Sequence, residues 1–454
     1  MMQSADLIVI GGGLAGCEAA WQAAQRGLKV SLYEMRPYTQ TPAHTTGWLA
    51  EIVCSNSFGS NQRNKPAGLL KTELRRLNSF ILSCADDTSL PAGGALAVDR
   101  EQFSRLVTER LGNTTGVEIV RKELTTIPHA PCIITSGPLT SEGLSDSIVE
   151  LLGDEFLFFY DAMAPIVEFD SIDLNIAFWA SRYENDGATE GDYLNCPFTE
   201  EEYERFVNEL ISAKKVELKS FETANDPELP KKVKQYFEAC LPVEILASRD
   251  IQALSYGPLR PVGIKNPRDG RHPYAILQLR QENLAKTLFN MVGFQTNLTY
   301  SEQERVFRLV PGLENVVFAR YGQMHRNTFI QSPNCLLPTM QYKKRSTLFF
   351  AGQITGVEGY TGNIASGLVA GLNAGRLLKG QEPLTFPQET MIGALLHYIT
   401  NADAANFQPM KANFGLLPEL EYRTHNKREM RFAYAKRALK SLDVYVMEQL
   451  NGIS

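Results

Sequence analysis

The stretch Asp6-Leu7-Ile8-Val9-Ile10-Gly11-Gly12-Gly13-Leu14-Ala15-Gly16 decides the fold, together with the helix-like run to Arg26, Gly27, and Leu28-Lys29-Val30-Ser31-Leu32-Tyr33-Glu34 that follow it. It reads as strand, glycine turn, helix, strand and acid. The apolar run Leu7 to Ile10 suits a parallel strand buried on both faces. Gly11 permits the tight turn, Gly13 lets a pyrophosphate approach the backbone, and Gly16 lets the helix pack close to the strand. A helix starting near Leu14 and Ala15 points its free N–H groups and positive dipole end at that pyrophosphate. Glu34 falls about 20 residues on, where an acid can hydrogen-bond the ribose of the adenosine half. Gly12 and Arg36 complete this group of cofactor candidates. Together they predict a dinucleotide site rather than an ordinary glycine turn.

Working outward, the bounds are broad. The chain has 454 residues, 44% hydrophobic, 21% charged, with a formal net charge of -6. That length is ample for a core and suggests two or three domains. No apolar run approaches the roughly 20 residues needed to span a bilayer. No basic, apolar signal sequence precedes the first strand, so the expected location is cytoplasmic, with no membrane partner. The seven cysteines, Cys17, Cys54, Cys84, Cys132, Cys196, Cys240 and Cys335, form no CxxC pair. A metal site is therefore not expected, and most of them read as small buried thiols. Net acidity argues against a generally basic nucleic-acid binder, but local patches decide that question.

Asp99-Arg100-Glu101-Gln102-Phe103 has the form of a step common after the second part of large flavin folds, which makes Asp99 a cofactor candidate. Strands are expected over 119–124 and 132–135. From Leu139 to about Arg320 the βαβ rhythm is lost. Strand-like runs at 156–160, 166–169 and 274–279 accompany helices at 200–213 and 230–239. The nucleotide sheet is expected to resume near Ser346. Leu348-Phe349-Phe350-Ala351 is a short strand ended by Gly352-Gln353, and a helix rich in small residues follows: Ala365, Ser366, Gly367, Ala370, Gly371, Ala374 and Gly375. In flavoproteins of the glutathione-reductase type, a strand ending in Gly-Asp stands here, and the next helix N-terminus faces the isoalloxazine ring. Gln353 replaces that Asp and can still bond the ribityl chain. This favours FAD over NAD as the bound dinucleotide. The alternative is a close-packed glycine/alanine helix with no ligand.

The predicted class is α/β: a glutathione-reductase-like FAD-binding Rossmann domain with an inserted α/β substrate domain and a helical C-terminal region. The expected boundaries are 1–140 and 331–390 for the two parts of the FAD domain, 141–330 for the insertion and 391–454 for the C-terminal region. The last of these carries Arg423, Lys427, Arg428, Arg431, Lys436, Arg437 and Lys440. Such a run is either a solvated face or a phosphate-binding one.

Several strings together resemble one family. They are His44-Thr45-Thr46-Gly47 with Cys54-Ser55-Asn56-Ser57, Tyr160-Asp161-Ala162, Ala180-Ser181-Arg182-Tyr183, Asn195-Cys196-Pro197, Cys240-Leu241-Pro242-Val243-Glu244, Tyr256-Gly257-Pro258, Val292 to Asn297, Arg320 to Thr328, and Ala351 to Tyr360. Their order and content are similar to TrmFO, the folate- and FAD-dependent tRNA uridine-5 methyltransferases. The resemblance implies formation of 5-methyluridine at position 54 in the T loop of tRNA. It implies 5,10-methylenetetrahydrofolate as carbon donor and FAD reduced by NADH or NADPH.

The resemblance also implies roles. Uracil C5 is a poor nucleophile until a group adds at C6, and a thiolate suits that addition. Cys240 corresponds to the C6 nucleophile and Cys54 to a second functional cysteine. Lys231, Lys232 and Lys234 favour a thiolate at Cys240, while the end of a preceding helix disfavours it. His325 corresponds to a folate contact, with Arg326 and Asn327 beside it. Two departures stand out. Many members have Val-Glu-Ser-Ala where this chain has Thr361-Gly362-Asn363-Ile364, leaving Asn363 and nearby Glu358 as the polar groups at that step. Phe58-Gly59 replaces a Leu-Arg, removing a phosphate-binding arginine. Rival readings are a ribosomal RNA uracil-5 methyltransferase of the same family, a GidA-type wobble-uridine enzyme, a small-substrate flavin oxidoreductase, and a non-catalytic FAD-containing RNA-binding module.

Overall fold

In the computed structural model the described residues are 5–41, 43–153, 156–162, 164–182, 191–216, 241–283, 285–322, 324–404, 407–420 and 426–450, with side chains excepted over 156–162 and 324–328. A six-stranded sheet organises the nucleotide half. Its order is Gln341–Tyr342, Arg345–Phe350, Cys132–Ile134, Leu7–Ile10, Val30–Glu34, Val117–Arg121. All neighbours are parallel except the first pair. The first strand is therefore flanked by the second on one side and by a strand more than a hundred residues later on the other. That is the switch point at which open α/β sheets place ligands.

The first helix, Leu14–Ala24, is buried on nearly every side. Its alanines and glycine suit that position because they leave little side chain to accommodate. Glu18 on this helix is buried, and its carboxylate accepts Phe80 N (3.3 Å), Ile81 N (2.9 Å) and Ser79 Oγ (2.8 Å), joining it to the start of helix Phe80–Asp87. The long helix Tyr360–Leu378 lies against it. A Cβ at Gly367 would meet Ala15 O at 2.3 Å, and one at Gly371 would meet Ala19 O at 2.3 Å. The small-residue stripe is thus a helix-packing surface.

The inserted part is an antiparallel sheet in the order Phe178–Ala180, Tyr193–Phe198, Ala275–Gln281, Leu288–Met291, Ile166–Glu168, Phe318–Arg320. Leu194, Cys196, Leu277, Leu279 and Phe289 pack with Tyr203, Phe206, Val207 and Leu210 of helix Glu200–Ser212 in a second core. A capping box, Thr199 with Glu202, starts that helix. The strands Phe156–Ala162 and Met324–Ile330 pair antiparallel as a separate two-stranded ribbon. Helices Met391–Asn401 and Lys427–Tyr445 follow the nucleotide half. Between them Met410–Lys411 pairs with Val357–Glu358, so the C-terminal region is tied back to the segment just before the long helix. Among the described residues, no helix is long and apolar enough to cross a membrane.

Candidate active site

A cleft of ≈1260 Å³, counted out into open solvent, lies at the carboxyl ends of the parallel strands. Gly11, Gly12, Gly13, Leu14 and Ala15 form one wall, and Glu34 and Arg36 stand at the end of the second strand. The loop after Cys132–Ile134 adds residues 135–141, and Gly352, Gln353, Tyr360 and Asn363 close the far end beside Cys54.

Each glycine of the turn has its own physical reason. Gly11 has φ +105, a conformation natural to glycine, and its Cβ would meet Thr135 O at 2.7 Å. Gly16 lies outside the lining; a Cβ there would reach Gly11 O at 1.9 Å. Gly13 has no atom within 4 Å of where a Cβ would stand, so this face is open to a ligand. Glu34 accepts Gly12 N at 2.9 Å and is gripped by Arg36 through Nε (2.9 Å) and Nη2 (3.2 Å). Burial by itself would raise its pKa, but the bonds and charge of Arg36 outweigh that and hold it below the ordinary carboxylate value. Arg36 also binds Glu51 at 2.9 Å. Glu51 in turn accepts the backbone N–H groups of Thr45 (2.9 Å) and Thr46 (3.1 Å), which fixes the His44 to Gly47 string against the cleft.

At the other end, Gln353 lines the cleft, and its Nε2 donates to buried Glu358 at 3.2 Å. Glu358 itself stands outside the lining and orients Gln353. Asn363 lines the cleft, and its Oδ1 is buried with no hydrogen-bond partner. Asp99 also lies outside the lining. Its carboxylate caps helix Arg100–Gly112, accepting Gln102 N at 3.0 Å. An acid immediately before a helix has this competing use, which sequence alone did not separate from cofactor binding.

Cys54 is half-buried on the cleft wall, in a loop held from both halves of the molecule. Tyr360 Oη accepts Cys54 N at 3.0 Å and Ser55 N at 3.1 Å. Arg100 donates to Ile52 O (2.6 Å) and Val53 O (3.0 Å), and Arg280 to Asn56 Oδ1 (2.7 Å) and Ser55 Oγ (2.6 Å). Asn56 Nδ2 donates to Val98 O (3.1 Å) and Gln281 O (2.8 Å). Glu282, buried, pairs with Arg100. Burial pushes the Tyr360 hydroxyl pKa up, with the neighbouring Cys54 adding to it.

Tyr360, Arg100, Arg280 and Glu282 were not among the expected site residues. A signal existed: Gln278 and Arg280 alternate with Leu277 and Leu279 in the strand Ala275–Gln281, with Glu282 just beyond its end, a period-2 polar face in a buried position. The other expected residues are partly out of view. Cys240, Lys231, Lys232 and Lys234, the helix expected over 230–239, Tyr183 and Arg423 lie outside the described residues. His325, Arg326 and Asn327 are described as backbone only; His325 is in register with Asp161 and Asn327 with Phe159.

What this cleft can take is an adenine dinucleotide: an open glycine face at a helix N-terminus, an acid at the second strand's end, and an unpartnered acceptor near a second helix N-terminus. Comparison with known proteins agrees. The family model described as glucose inhibited division protein A matches residues 6–382. The methylenetetrahydrofolate–tRNA-(uracil-5-)-methyltransferase TrmFO of Pelotomaculum thermopropionicum is 55% identical over 443 residues, covering 97% of this chain and 98% of its own. The one from Brevibacillus brevis is 54% identical over 450 residues (99% and 100%), and that from Bacillus subtilis 53% over 441 (97% and 98%). The chain belongs to the TrmFO family. Among solved structures, Aquifex aeolicus GidA has the same fold, with a TM-score of 0.68 at 19% identity, covering 97% of this chain and 76% of that one. A second crystal form gives 0.67 at 18%, covering 97% and 73%. This chain thus has the GidA fold, and its 53–55% identity is to proteins named TrmFO.

Proposed function

We propose that this chain is a flavin- and folate-dependent tRNA (uracil-5-)-methyltransferase that makes 5-methyluridine at position 54 of the T loop, with NADH or NADPH as reductant. Family membership supports the reaction class. The single structural observation that carries the site is that the Cys54 loop and the dinucleotide cleft share one wall, so a reactive thiol and a redox cofactor can face the same substrate.

Gly11 to Ala15, Glu34, Arg36, Gly352, Gln353 and Asn363 would hold FAD. When bound, FAD supplies the reducing power that converts the transferred one-carbon unit into a methyl group. The chain's own work is then to activate and hold the uracil. Cys240 is the nucleophile: its sulfur adds to C6, and the displaced electron pair makes C5 able to attack the one-carbon unit. Loss of the C5 proton would expel the amine that carried the carbon and leave an exocyclic methylene; a hydride equivalent delivered to that methylene would then re-form the C5–C6 double bond, break the C6–S bond and return Cys240 as thiolate. Cys54, held over the cleft by Tyr360, Arg100 and Arg280, is the group that moves the proton. His325, with Arg326 and Asn327, contacts the folate. A stacked uridine has to leave its stack to reach this site.

The test is nucleoside mass spectrometry after incubating the holoenzyme with methylenetetrahydrofolate, NADPH and unmodified tRNA and ribosomal RNA transcripts, separated before digestion. 5-Methyluridine in tRNA alone is the expected result. Its appearance in ribosomal RNA alone would replace the tRNA assignment. Cys240→Ala and Cys54→Ala are expected to retain FAD and lose methyl transfer. Full activity in either would remove that cysteine from the mechanism.

A further inference from the structure

We infer that Arg320 is the receptor for an oxyanion carried by a substrate, either a phosphate of the RNA or a carboxylate of the folate tail. This rests on the methyltransferase reading and adds to it a recognition residue on the insert sheet, near Cys54 and Tyr360 of the cleft wall.

Arg320 ends the strand Phe318–Arg320, opposite Ile166 at the edge of the insert sheet. Two residues later the chain approaches the Met324–Ile330 ribbon that carries His325. Its Nε and Nη2 are both closed off from solvent and have no hydrogen-bond partner. Among the described residues, no other side chain has two such atoms.

Nε and Nη2 are one edge of the guanidinium, the edge that takes the two oxygens of a carboxylate or phosphate side by side. This protein fills that edge repeatedly. Arg36 presents it to Glu34 at 2.9 and 3.2 Å, and Arg75 presents it to Asp86 at 2.7 Å for both bonds. Arg100 presents the same edge to Glu282. On Arg320 it is unused.

Among the described residues, the surroundings leave it no uncommitted acid. Arg320 interacts electrostatically with Arg100, Glu282, Cys54 and Tyr360. Glu282 is already held by Arg100, and Arg280 is committed to Ser55 and Asn56. Three guanidinium groups therefore stand around one carboxylate, beside two residues of the cleft wall. Burial, with repulsion from Arg100, pushes the Arg320 pKa down to about 10, which still leaves it charged at neutral pH. A buried charged donor pair without an acceptor is unfavourable. An arriving oxyanion relieves that and gains a bidentate pair in a place shielded from water.

The experiment uses FAD-loaded enzyme with Arg320→Gln and Arg320→Lys. Equilibrium binding of unmodified tRNA transcript and of tetrahydrofolate is measured separately, without turnover. The expected result is unchanged FAD content and affinity for one of the two ligands lowered by about tenfold or more in Arg320→Gln. Lysine, a point charge without the two-donor edge, restores only part of it. Loss confined to tRNA, with the slope of log affinity against log salt reduced by about one, assigns an RNA phosphate. Loss confined to tetrahydrofolate, and absent for an analogue lacking the glutamate, assigns the folate carboxylate. Unchanged affinity for both ligands in both variants overturns the inference. If Arg320→Gln loses FAD, Arg320→Lys decides. Wild-type enzyme that forms no 5-methyluridine would overturn the methyltransferase reading, while the binding comparison would still decide Arg320.

Discussion

Two glycine-rich segments meet at the cleft, and their glycines answer to different neighbours. In the turn Gly11 to Gly16, Gly13 faces open space, Gly11 has a backbone conformation natural to glycine, and Gly16 faces backbone at 1.9 Å. In helix Tyr360–Leu378, Gly367 and Gly371 face the backbone of the first helix at 2.3 Å, and only the helix start, with Tyr360 and Asn363, reaches the cleft. One segment uses absent side chains to admit a ligand. The other uses them to bring two helices together so that the cleft has a rigid floor. Glycine spacing alone reads the same in both; what a Cβ would meet separates them.

This contrast can be broken by substitution. The largest effect is expected for Gly367→Val, which drives a side chain into Ala15 backbone. It should destabilise the protein by more than about 3 kcal/mol, beyond ordinary overpacking, read as a fall in thermal midpoint before FAD is considered. A Gly367→Val protein that folds normally and loses only FAD would reverse the assignment. Gly13→Ala is the opposite case. It should leave the apo-protein's unfolding midpoint nearly unchanged and weaken FAD binding by about tenfold or more, about 1.4 kcal/mol, measured by flavin titration. Unchanged FAD affinity would mean that the open face is not the pyrophosphate's.

A smaller effect sharpens the other end of the cleft. Arg280→Met removes the bonds to Ser55 and Asn56 and should cost about 2 kcal/mol in denaturant unfolding, since hydrogen bonds to a charged group are lost in a buried place. The Cys54 loop should then be alkylated faster than in wild type, with FAD retained. Equal alkylation rates would show that Arg280 does not hold the loop.

A separate prediction concerns pH. Burial pushes the Glu73 pKa up to about 8 from 4.5, although its carboxylate accepts Met391 N (2.8 Å) and Ile392 N (2.9 Å). A folded pKa above the unfolded one means that the group's contribution is full below pH 4.5 and is lost as pH rises through about 8. Glu73→Gln should flatten this part of the stability–pH curve. An unchanged slope would refute the shift.

Much of the nucleotide half was legible because its signals are local. Leu7 to Gly16 and Leu28 to Glu34 carry strand, turn and acid within a short span, and Ile10 to Ala15, Tyr33 and Glu34 of them line one cleft. The resumed strand at Arg345–Phe350 was legible as an apolar run ending in glycine. The small-residue helix was legible as an element, but its glycines divide between packing and ligand only when the first helix is in place. Arg100, Arg280 and Tyr360 were hidden for a related reason. Their partners lie 47 to 306 residues away, and nothing in a single sequence pairs them. Asp99 shows an ambiguity of another kind: an acid before a helix satisfies two rules at once, and its carboxylate caps the helix Arg100–Gly112.

The central claim is that a folate one-carbon unit reaches uracil C5 in this cleft. It is tested most directly by supplying [13C]methylenetetrahydrofolate, NADPH and unmodified tRNA to the purified holoenzyme, and weighing the nucleosides. The account predicts 5-methyluridine one mass unit heavier than unlabelled standard, at position 54 alone, and none with Cys240→Ala. Unlabelled 5-methyluridine, or none while the bound flavin is reduced normally, would contradict it.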